Sequence, residues 1–537
     1  NDIAAATGGI VTATLQSGPL TSFAGLAETN NAYTITVNDD AGTQMSATAL
    51  SALGGKTTGD VTVSNAVAIS GTTAEVTAAL VTPATCVSAP TAVVTITDTE
   101  AGTATTPLLA SDLSAIGGKT TGTVTVLEAV TITGTAADVK AALIADDTKV
   151  IAGTAKVQIS DMIPVTSADD INGIAAATSG VVTASLAGEL AIFSELAETN
   201  NAYTITVTDN AATNLAATAL SALKGKTTAP VTVANAVTIT GNAAEVKAAL
   251  VTNDTKVTAG TANVQISGMI PVTSADDIND INGIAAATNG VVTAALEGAL
   301  ASFAGLAETN NAYTITVTDA STATLTAAAL SALGGKTTAP VTVTNAVTIT
   351  GTAAEVTAAL VTEATKVIAT AASVTLSGTT TAAQANLIAA ATDGIVTATL
   401  VGALSDFSGL TETNNAYTIT VNDSAGTGLN ATALSTLRGT TTGTVTVTNA
   451  VTISGTAAEL TAALITEATR VIASTANVIV NGAVDAGELT AIHNATNGTV
   501  TVQGTPGPDT YNLASFAAGH LTINGLAGND VINSGNG

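Results

Sequence analysis

Four aspartates stand at corresponding places where a side chain could hold a cation. In every copy a Glu-Thr-Asn-Asn sequence comes first, a Tyr-Thr-Ile-Thr-Val segment follows it, and the aspartate comes after that segment. The four are Asp39, Asp209, Asp319 and Asp423. Carboxylate and amide oxygens are ligands that Ca²⁺ accepts, and the same groups also stabilise turns through local hydrogen bonds. Two interpretations therefore stay open: structural turn chemistry, or weak Ca²⁺ sites completed by asparagine carbonyls.

A Gly-Lys-Thr sequence recurs four times, at residues 55–57, 118–120, 225–227 and 335–337. A phosphate-binding loop needs another glycine five positions before the Gly-Lys pair, so that backbone amides can wrap the phosphates. Leucine occupies that position in every copy, as Leu50, Leu113, Leu220 and Leu330. The sequence therefore predicts a glycine at a helix C-cap followed by a polar turn, and no nucleotide site.

Residue types suited to catalysis are scarce. The two histidines, His493 and His520, lie near the C-terminus, and no Gly-x-Ser-x-Gly or His-x-x-x-His pattern accompanies them. We predict that both are surface residues. Cys86 is the only cysteine, and we predict a small buried hydrophobe rather than a reactive thiol. The chain is therefore not expected to be an enzyme.

The C-terminal residues repeat glycine and aspartate with a nonapeptide pattern. Residues 525–533 are the fuller match and residues 504–512 the looser one. The pattern resembles the calcium-binding nonapeptide of RTX proteins, and departs from it at Leu526. The resemblance implies a parallel β-roll whose turns bind Ca²⁺. The residues that it assigns to the cation are Asp530, Gly528, Gly525, Asn529 and Asp509.

Strand and helix patterns alternate within each copy and must position these residues. In the second full copy, β-branched runs predict strands at 181–186, 203–207, 231–233, 236–240 and 264–267. Alanine-rich runs predict helices at 174–177, 215–223 and 243–250. Ser274 and Asp277 have the spacing of a capping box, which predicts another helix start. The expected fold is an α/β repeat array, either solenoid-like or a string of small β-rich domains, ending in the start of a parallel β-roll.

The recurring segments divide the chain into six parts. Repeat 1 spans 1–100, a partial repeat 101–170, repeat 2 171–280, repeat 3 281–383, repeat 4 384–498, and the RTX-like C-terminal segment 499–537. Residues 1–7 resemble residues 279–288, so we expect the chain to begin within a repeat. Each full repeat has one Phe and one Tyr, predicted to anchor the packing, with ligand stacking as the alternative. These pairs are Phe23 and Tyr33, Phe193 and Tyr203, Phe303 and Tyr313, and Phe407 and Tyr417.

Composition limits the classes of partner. The 537 residues include 13 Lys and Arg against 40 Asp and Glu, for a formal charge of -27, so the basic clusters that hold nucleic acids are missing. Divalent cations are the expected partners instead. Aromatic residues make up only 2% of the chain, which favours thin stacked layers over a wide core. No apolar run is long enough to predict a membrane span.

The repeats resemble the Ala/Thr-rich tandem modules of large secreted RTX-type bacterial surface proteins. Residues 347–356 and 283–288 carry this resemblance, which covers residues 1 to 500. It implies export by a type I system and calcium-assisted folding outside the cell. We predict an extracellular or cell-surface structural protein, a calcium-stabilised repeat rod that associates head-to-tail with copies of itself in a filament or surface layer. The alternative is the stalk of an RTX-type adhesin that binds glycans, such as a cell-surface polysaccharide, or a host surface.

Overall fold

The computed structural model describes residues 1–27, 29–85, 87–100, 107–148, 150–197, 200–307, 310–411, 413–514, 521–525 and 527–534. Cys86 and His520 lie outside these residues. The chain forms an α/β structure with two compact units. The first unit is Asn1–Ile266 with Ala286–Val291, and the second is Ser267–Ala285 with Val292–Gly537. Every strand pairing described below is parallel.

The strands that begin in the first unit are short. They are β1 (Thr12–Thr14), β2 (Ala32–Val37), β3 (Gln44–Ser46), β4 (Val61–Val63), β5 (Ala68–Gly71), β6 (Val93–Ile96), β7 (Leu108–Leu109), β8 (Val124–Val126), β9 (Thr131–Gly134), β10 (Val150–Ile151), β11 (Lys156–Pro164), β12 (Val182–Gly188), β13 (Ala202–Val207), β14 (Asn214–Ala216), β15 (Val231–Val233), β16 (Thr238–Gly241) and β17 (Asn263–Val272). They pair in the orders β1-β2-β4, β3-β5-β6-β8-β10, β7-β9-β11-β12-β13-β15 and β14-β16-β17.

The helices of the first unit alternate with these strands. They are α1 (Asp2–Ala5), α2 (Ala47–Gly54), α3 (Thr73–Leu80), α4 (Ala110–Gly117), α5 (Ala136–Leu143), α6 (Asp169–Ala176), α7 (Leu190–Phe193), α8 (Ala217–Gly225) and α9 (Ala243–Leu250). A single 3-10 turn covers Leu20–Phe23. Successive helices such as α2 and α3 pack against each other.

The second unit repeats this alternation. Its helices are α10 (Ala275–Ala286), α11 (Ala327–Gly334), α12 (Ala353–Leu360), α13 (Ala382–Ala389), α14 (Ala431–Gly439), α15 (Ala457–Leu464) and α16 (Ala486–Asn494), with 3-10 turns at Leu300–Phe303 and Leu404–Phe407. Its strands are β18 (Val292–Gly298), β19 (Ala312–Val317), β20 (Thr324–Thr326), β21 (Val341–Val343), β22 (Thr348–Thr352), β23 (Val367–Ile368), β24 (Ser373–Thr380), β25 (Val396–Gly402), β26 (Ala416–Val421), β27 (Gly428–Asn430), β28 (Val445–Val447), β29 (Thr452–Gly455), β30 (Asn477–Asn481), β31 (Val500–Gln503), β32 (Thr510–Leu513), β33 (Leu521–Asn524) and β34 (Val531–Ser534).

The sheets of the second unit take strands from adjacent sequence repeats. Their orders are β18-β19-β21-β23, β20-β22-β24-β25-β26-β28, β27-β29-β30-β31-β33 and β32-β34. The predicted boundary after residue 383 falls between β24 and β25, which are hydrogen-bonded neighbours. The boundary after residue 498 falls between β30 and β31 in the same way. Sheets therefore do not coincide with sequence repeats.

The strand and helix types predicted for repeat 2 are confirmed except at residues 215–216, which were predicted to be helical and belong to β14; the other boundaries shift by a few residues. The strands are β12, β13, β15, β16 and β17, and the helices are α6, α8 and α9. The capping box before α10 is also confirmed, because the Ser274 N–H donates to Asp277 Oδ2 at 2.9 Å and the Asp277 N–H donates to Ser274 Oγ at 3.4 Å. At the Gly-Lys-Thr sequences, Gly55, Gly118 and Gly335 stand at helix C-caps, as predicted, but with right-handed φ.

The core lies between the strands and the helices. In β13, Tyr203, Ile205 and Val207 are buried and Thr204 is exposed, which is the alternation expected for a strand with one buried face. All four Phe and Tyr pairs are buried. The prediction that they anchor the packing is confirmed; Phe23, Phe303 and Phe407 also line surface cavities.

One backbone position carries strain that a single substitution removes. Ala212 has φ 66°, whereas glycine occupies the corresponding positions 42 and 426 with φ 77° and 83°. The left-handed region costs a residue with a Cβ about 1–2 kcal/mol, and the extra chain entropy of glycine offsets about half of this. We expect Ala212→Gly to raise the free energy of unfolding by about 0.5–1 kcal/mol in urea titrations. The control Ala211→Gly should lower it; equal effects of the two variants would contradict this explanation.

The capping boxes make stability depend on pH. The Thr72, Thr352 and Thr456 N–H groups each donate to the glutamate three residues later at 2.8 Å. These backbone bonds are the main cause that lowers the pKa of Glu75, Glu355 and Glu459 below 4.5. When folding lowers the pKa of a carboxyl group, the stability that this group contributes is fully present at pH values above its unfolded-state pKa. The contribution is lost as the pH falls through its folded-state pKa.

We therefore expect the melting temperature to fall as pH is lowered from 5 towards 3. The triple variant Glu75→Gln, Glu355→Gln and Glu459→Gln keeps an acceptor for each N–H, as Gln384 does naturally at the start of α13. Its acid-side decline should be shallower than that of the original chain. Identical acid profiles in differential scanning calorimetry would contradict the assignment.

Candidate functional site

The C-terminal segment forms two similar turns, each followed by a strand. The turn at 504–509 leads from β31 into β32, and Gly525 and residues 527–530 lie between β33 and β34. β31 pairs with β33 and β32 pairs with β34, in register and in parallel. The two nonapeptide matches therefore lie side by side.

An aspartate closes each of the two turns. Asp509 accepts hydrogen bonds from the Thr505 N–H at 2.6 Å and the Thr505 hydroxyl at 3.0 Å. Asp530 Oδ1 accepts from the Asp509 N–H at 3.1 Å, so the second turn is bonded to the first. A Cβ at Gly525 would overlap Asp530 Oδ2, and a Cβ at Gly504 would lie 2.5 Å from Asp509 Oδ2. A larger residue at either place would displace the carboxylate that lies against the glycine.

A buried tyrosine lies against the first turn. Tyr511 is fully buried, and its hydroxyl would lie 2.6 Å from a Cβ at Gly504. Burial, together with the negative charges of Asp509 and Asp530, raises the pKa of Tyr511 above 10.0. The phenol therefore stays neutral at physiological pH and adds a polar oxygen beside the two carboxylates.

The predicted calcium ligands are divided between this cluster and the solvent. Asp509 Oδ2 and the Gly525 carbonyl oxygen lie beside Gly504, at 2.5 and 3.2 Å from a Cβ placed there, and Asp530 Oδ2 lies beside Gly525. Asn529 is exposed, and Gly528 packs against the Gly507 carbonyl. Carboxylate and carbonyl oxygens are the donor set that Ca²⁺ prefers. No three acidic, His or Cys side chains within the described residues group closely enough to hold a metal by themselves, so backbone oxygens would have to complete a site.

The four repeated aspartates each cap a helical turn beside a neighbouring strand. Asp319 Oδ2 accepts the Leu300 N–H at 2.7 Å, and the Asp319 carbonyl accepts from Asn345 Nδ2 at 2.7 Å. The structural alternative in the sequence analysis therefore has direct geometric support. The same bonds are made by Asp39, Asp209 and Asp423.

A buried asparagine and a buried threonine make a second set of bonds between strands, which the sequence analysis missed. Asn311 Oδ1 accepts the Val292 N–H at 2.8 Å. Thr337 Oγ1 accepts the Tyr313 N–H at 2.8 Å and donates to the Tyr313 carbonyl at 2.8 Å. These bonds join β18, β19 and the turn before β21.

We call Asn311, Asp319, Thr337 and Asn345, with their counterparts in the other full repeats, the polar ladder. The counterparts are Asn31, Asp39, Thr57 and Asn65; Asn201, Asp209, Thr227 and Asn235; and Asn415, Asp423, Thr441 and Asn449. The signal was present in the sequence, because the Asn and the Thr recur at a separation of 26 residues. The sequence does not show that these residues bond to neighbouring strands, because this depends on which strands pair.

The histidines were the other residues considered for catalysis. His493 is half-buried on α16, so the prediction of a surface residue is only partly met. No helix in the described part of the chain has the length and apolar character needed to cross a membrane.

A scan against models of protein families finds no match to this chain, and a search of curated proteins finds no similar sequence.

Proposed function

We propose that this chain is an extracellular structural protein, a repeat rod that assembles into a filament or surface layer and is stabilised by calcium. The observation that carries the proposal is the polar ladder, which recurs at corresponding residues in all four full repeats. Its bonds connect each strand only to the strands on either side. Stability built from nearest-neighbour contacts is the property that lets a repeat array extend to any length.

The buried position of the ladder supports a structural role. Asn311 and Thr337 are at most 8% exposed, so their polar atoms are held against the backbone of neighbouring strands and not offered to a ligand. A buried polar group fixes strand register, since a shifted pairing would leave it without a partner. The ladder thus favours a solenoid-like stack in which every copy adds in the same way.

The aromatic residues weigh against the adhesin alternative for the repeats themselves. Binding of sugar rings commonly uses exposed aromatic faces, whereas Phe193 and Tyr203 are at most 1% exposed. We therefore do not propose glycan binding by the four Phe and Tyr pairs.

Imaging of the purified chain by negative-stain electron microscopy, with calcium and with a chelator, tests assembly. We expect filaments or sheets in calcium. A heterologous contact between copies that does not close gives such open assemblies. Dispersed single particles at every calcium concentration would contradict the proposed assembly and leave the rod itself to be tested separately.

Calcium at the C-terminal turns gives a separate prediction. A cation that binds only the folded state stabilises it by about 2.7 kcal/mol at a hundredfold excess over its dissociation constant. We expect calcium to slow amide hydrogen exchange in residues 500–513 and 521–534, and Asp530→Asn to abolish this protection. Asp254→Asn removes an exposed carboxylate elsewhere and is the matched control. If calcium does not change the exchange rates of these residues in the original chain, the proposal that calcium binds there is wrong.

A further inference from the structure

One six-stranded sheet of the second unit has an outward face made mostly of hydroxyl side chains, with Val401 and Ala416 also on it. It is the sheet β20-β22-β24-β25-β26-β28. Five neighbouring strands of this sheet, β20, β22, β24, β25 and β26, share one pattern. Each has an outward Thr or Ser, then a buried residue, then a second outward Thr. We call this outward surface the threonine face.

The hydroxyls of the threonine face are in register. Thr326 pairs with Thr350, Thr350 with Thr375, and Thr375 with Thr397. Thr399 pairs with Thr418 in the neighbouring row. Adjacent strands lie about 4.8 Å apart and residues two positions apart along a strand about 7 Å apart, so hydroxyls repeat in two directions on the face. The first row ends at Ala416, which pairs with Thr397, and the register between β24 and β25 shifts between Thr375 and Thr379.

The threonine face carries no charge. The outward positions of its strands contain no Asp, Glu, Lys or Arg, although the whole chain has a formal charge of -27. The sheet that contains β11 differs, because Lys156 and Gln158 interrupt its outward face. A surface whose only requirement is solubility usually mixes charges. The composition of the threonine face instead matches a neutral, regular partner.

We propose that the threonine face binds ice. Each hydroxyl donates one hydrogen bond and accepts two, and so holds a water molecule in a defined place. Hydroxyls repeated at the two spacings of the face hold a layer of water with similar repeats, and both lie near oxygen repeats of the ice lattice. The threonine methyl groups fill the gaps between these waters. Many weak contacts, each in register, then add up on a flat crystal surface.

Two other occupants fit the face less well. A polysaccharide commonly stacks its sugar rings on exposed aromatic side chains, but Tyr417 of β26 is fully buried on the opposite side of the sheet. A second copy of the chain would bury two sets of hydroxyls against each other, and every hydroxyl left without a partner would cost free energy. Ice needs neither an aromatic platform nor a dry interface.

Ice-recrystallisation inhibition and retention in a slowly growing ice crystal test the proposal on the full chain. We expect the original protein to inhibit recrystallisation and to enter the ice. Thr375→Lys and Thr399→Lys each place a charged side chain in the centre of the face and should lose both activities. Thr204→Lys makes the same exchange at an exposed position of β13 in the other unit and should keep them. Circular dichroism establishes that all variants are folded.

Three results would overturn the proposal. The first is an original protein that neither inhibits recrystallisation nor enters ice. The second is equal loss in Thr204→Lys and Thr375→Lys, because the activity would then not belong to this face. The third is a Thr375→Lys-sensitive association with insoluble cellulose or with a second copy of the chain, in the absence of ice activity, which would assign the face to that occupant.

Discussion

Replacing Tyr313 by alanine is expected to lower the free energy of unfolding of its repeat by about 3–5 kcal/mol, since the ring is fully buried and its removal leaves a cavity. The residue lies in the middle of the inward face of β19. Urea unfolding followed by circular dichroism measures the loss.

The control is Tyr313→Phe, which keeps the ring and removes only the hydroxyl. Its cost should be about 1 kcal/mol. In a chain held by nearest-neighbour contacts, Tyr313→Ala should also speed amide exchange mainly in β18, β19 and β21. Equal losses in the two variants would mean that the hydroxyl matters and the ring does not, which contradicts the assignment of the tyrosine as a packing anchor.

Thr337→Val is expected to cost about 2–3 kcal/mol, although the two side chains have nearly the same shape. The hydroxyl accepts from the Tyr313 N–H at 2.8 Å and from the Ala339 N–H at 3.1 Å, and it donates to the Tyr313 carbonyl. Valine leaves these backbone groups buried without that partner. The loss should appear in the same urea titration as for Tyr313.

Thr314→Val makes the same exchange one residue after Tyr313, on the outward face of β19. Thr314 is exposed, so this variant should change stability by less than about 0.5 kcal/mol. The difference between the two variants isolates the ladder bond from the general effect of valine in a strand. If Thr314→Val costs as much as Thr337→Val, the polar ladder does not stabilise the stack.

The local elements were predictable because their signals are local. The period-two pattern of residues 203–207 predicts β13, and the alanine-rich run 243–250 coincides with α9. Ser274 and Asp277 identified the start of α10 from two residues alone. Each of these signals depends on residues within one element, where side-chain periodicity and capping chemistry act.

The cross-strand bonds were not predictable from the same patterns. Asn311 bonds a backbone group 19 residues earlier, and Thr337 bonds one 24 residues earlier. The sequence shows that both residues recur, but the strand that each one meets depends on pairing and register. For the same reason the Gly-Lys-Thr sequence was assigned to a polar turn while its threonine proves to be a buried bridge.

The C-terminal site was predicted in part. The resemblance to RTX nonapeptides implied tight turns at Gly525 and Asp530, and the two turns lie side by side. Tyr511 was missed as a neighbour of both carboxylates, because its position depends on the fold of the preceding turn. Asn529 was included from the pattern and is exposed.

Small-angle X-ray scattering of the dispersed chain tests the proposed repeat rod most directly. A rod in which about 25 residues advance the stack by about 4.8 Å extends 537 residues over about 100 Å and has a radius of gyration near 30 Å. We predict this value, with the scattering signature of a rod. A compact globule of the same length has a radius of gyration of about 24 Å. A value near that of the globule would contradict the account.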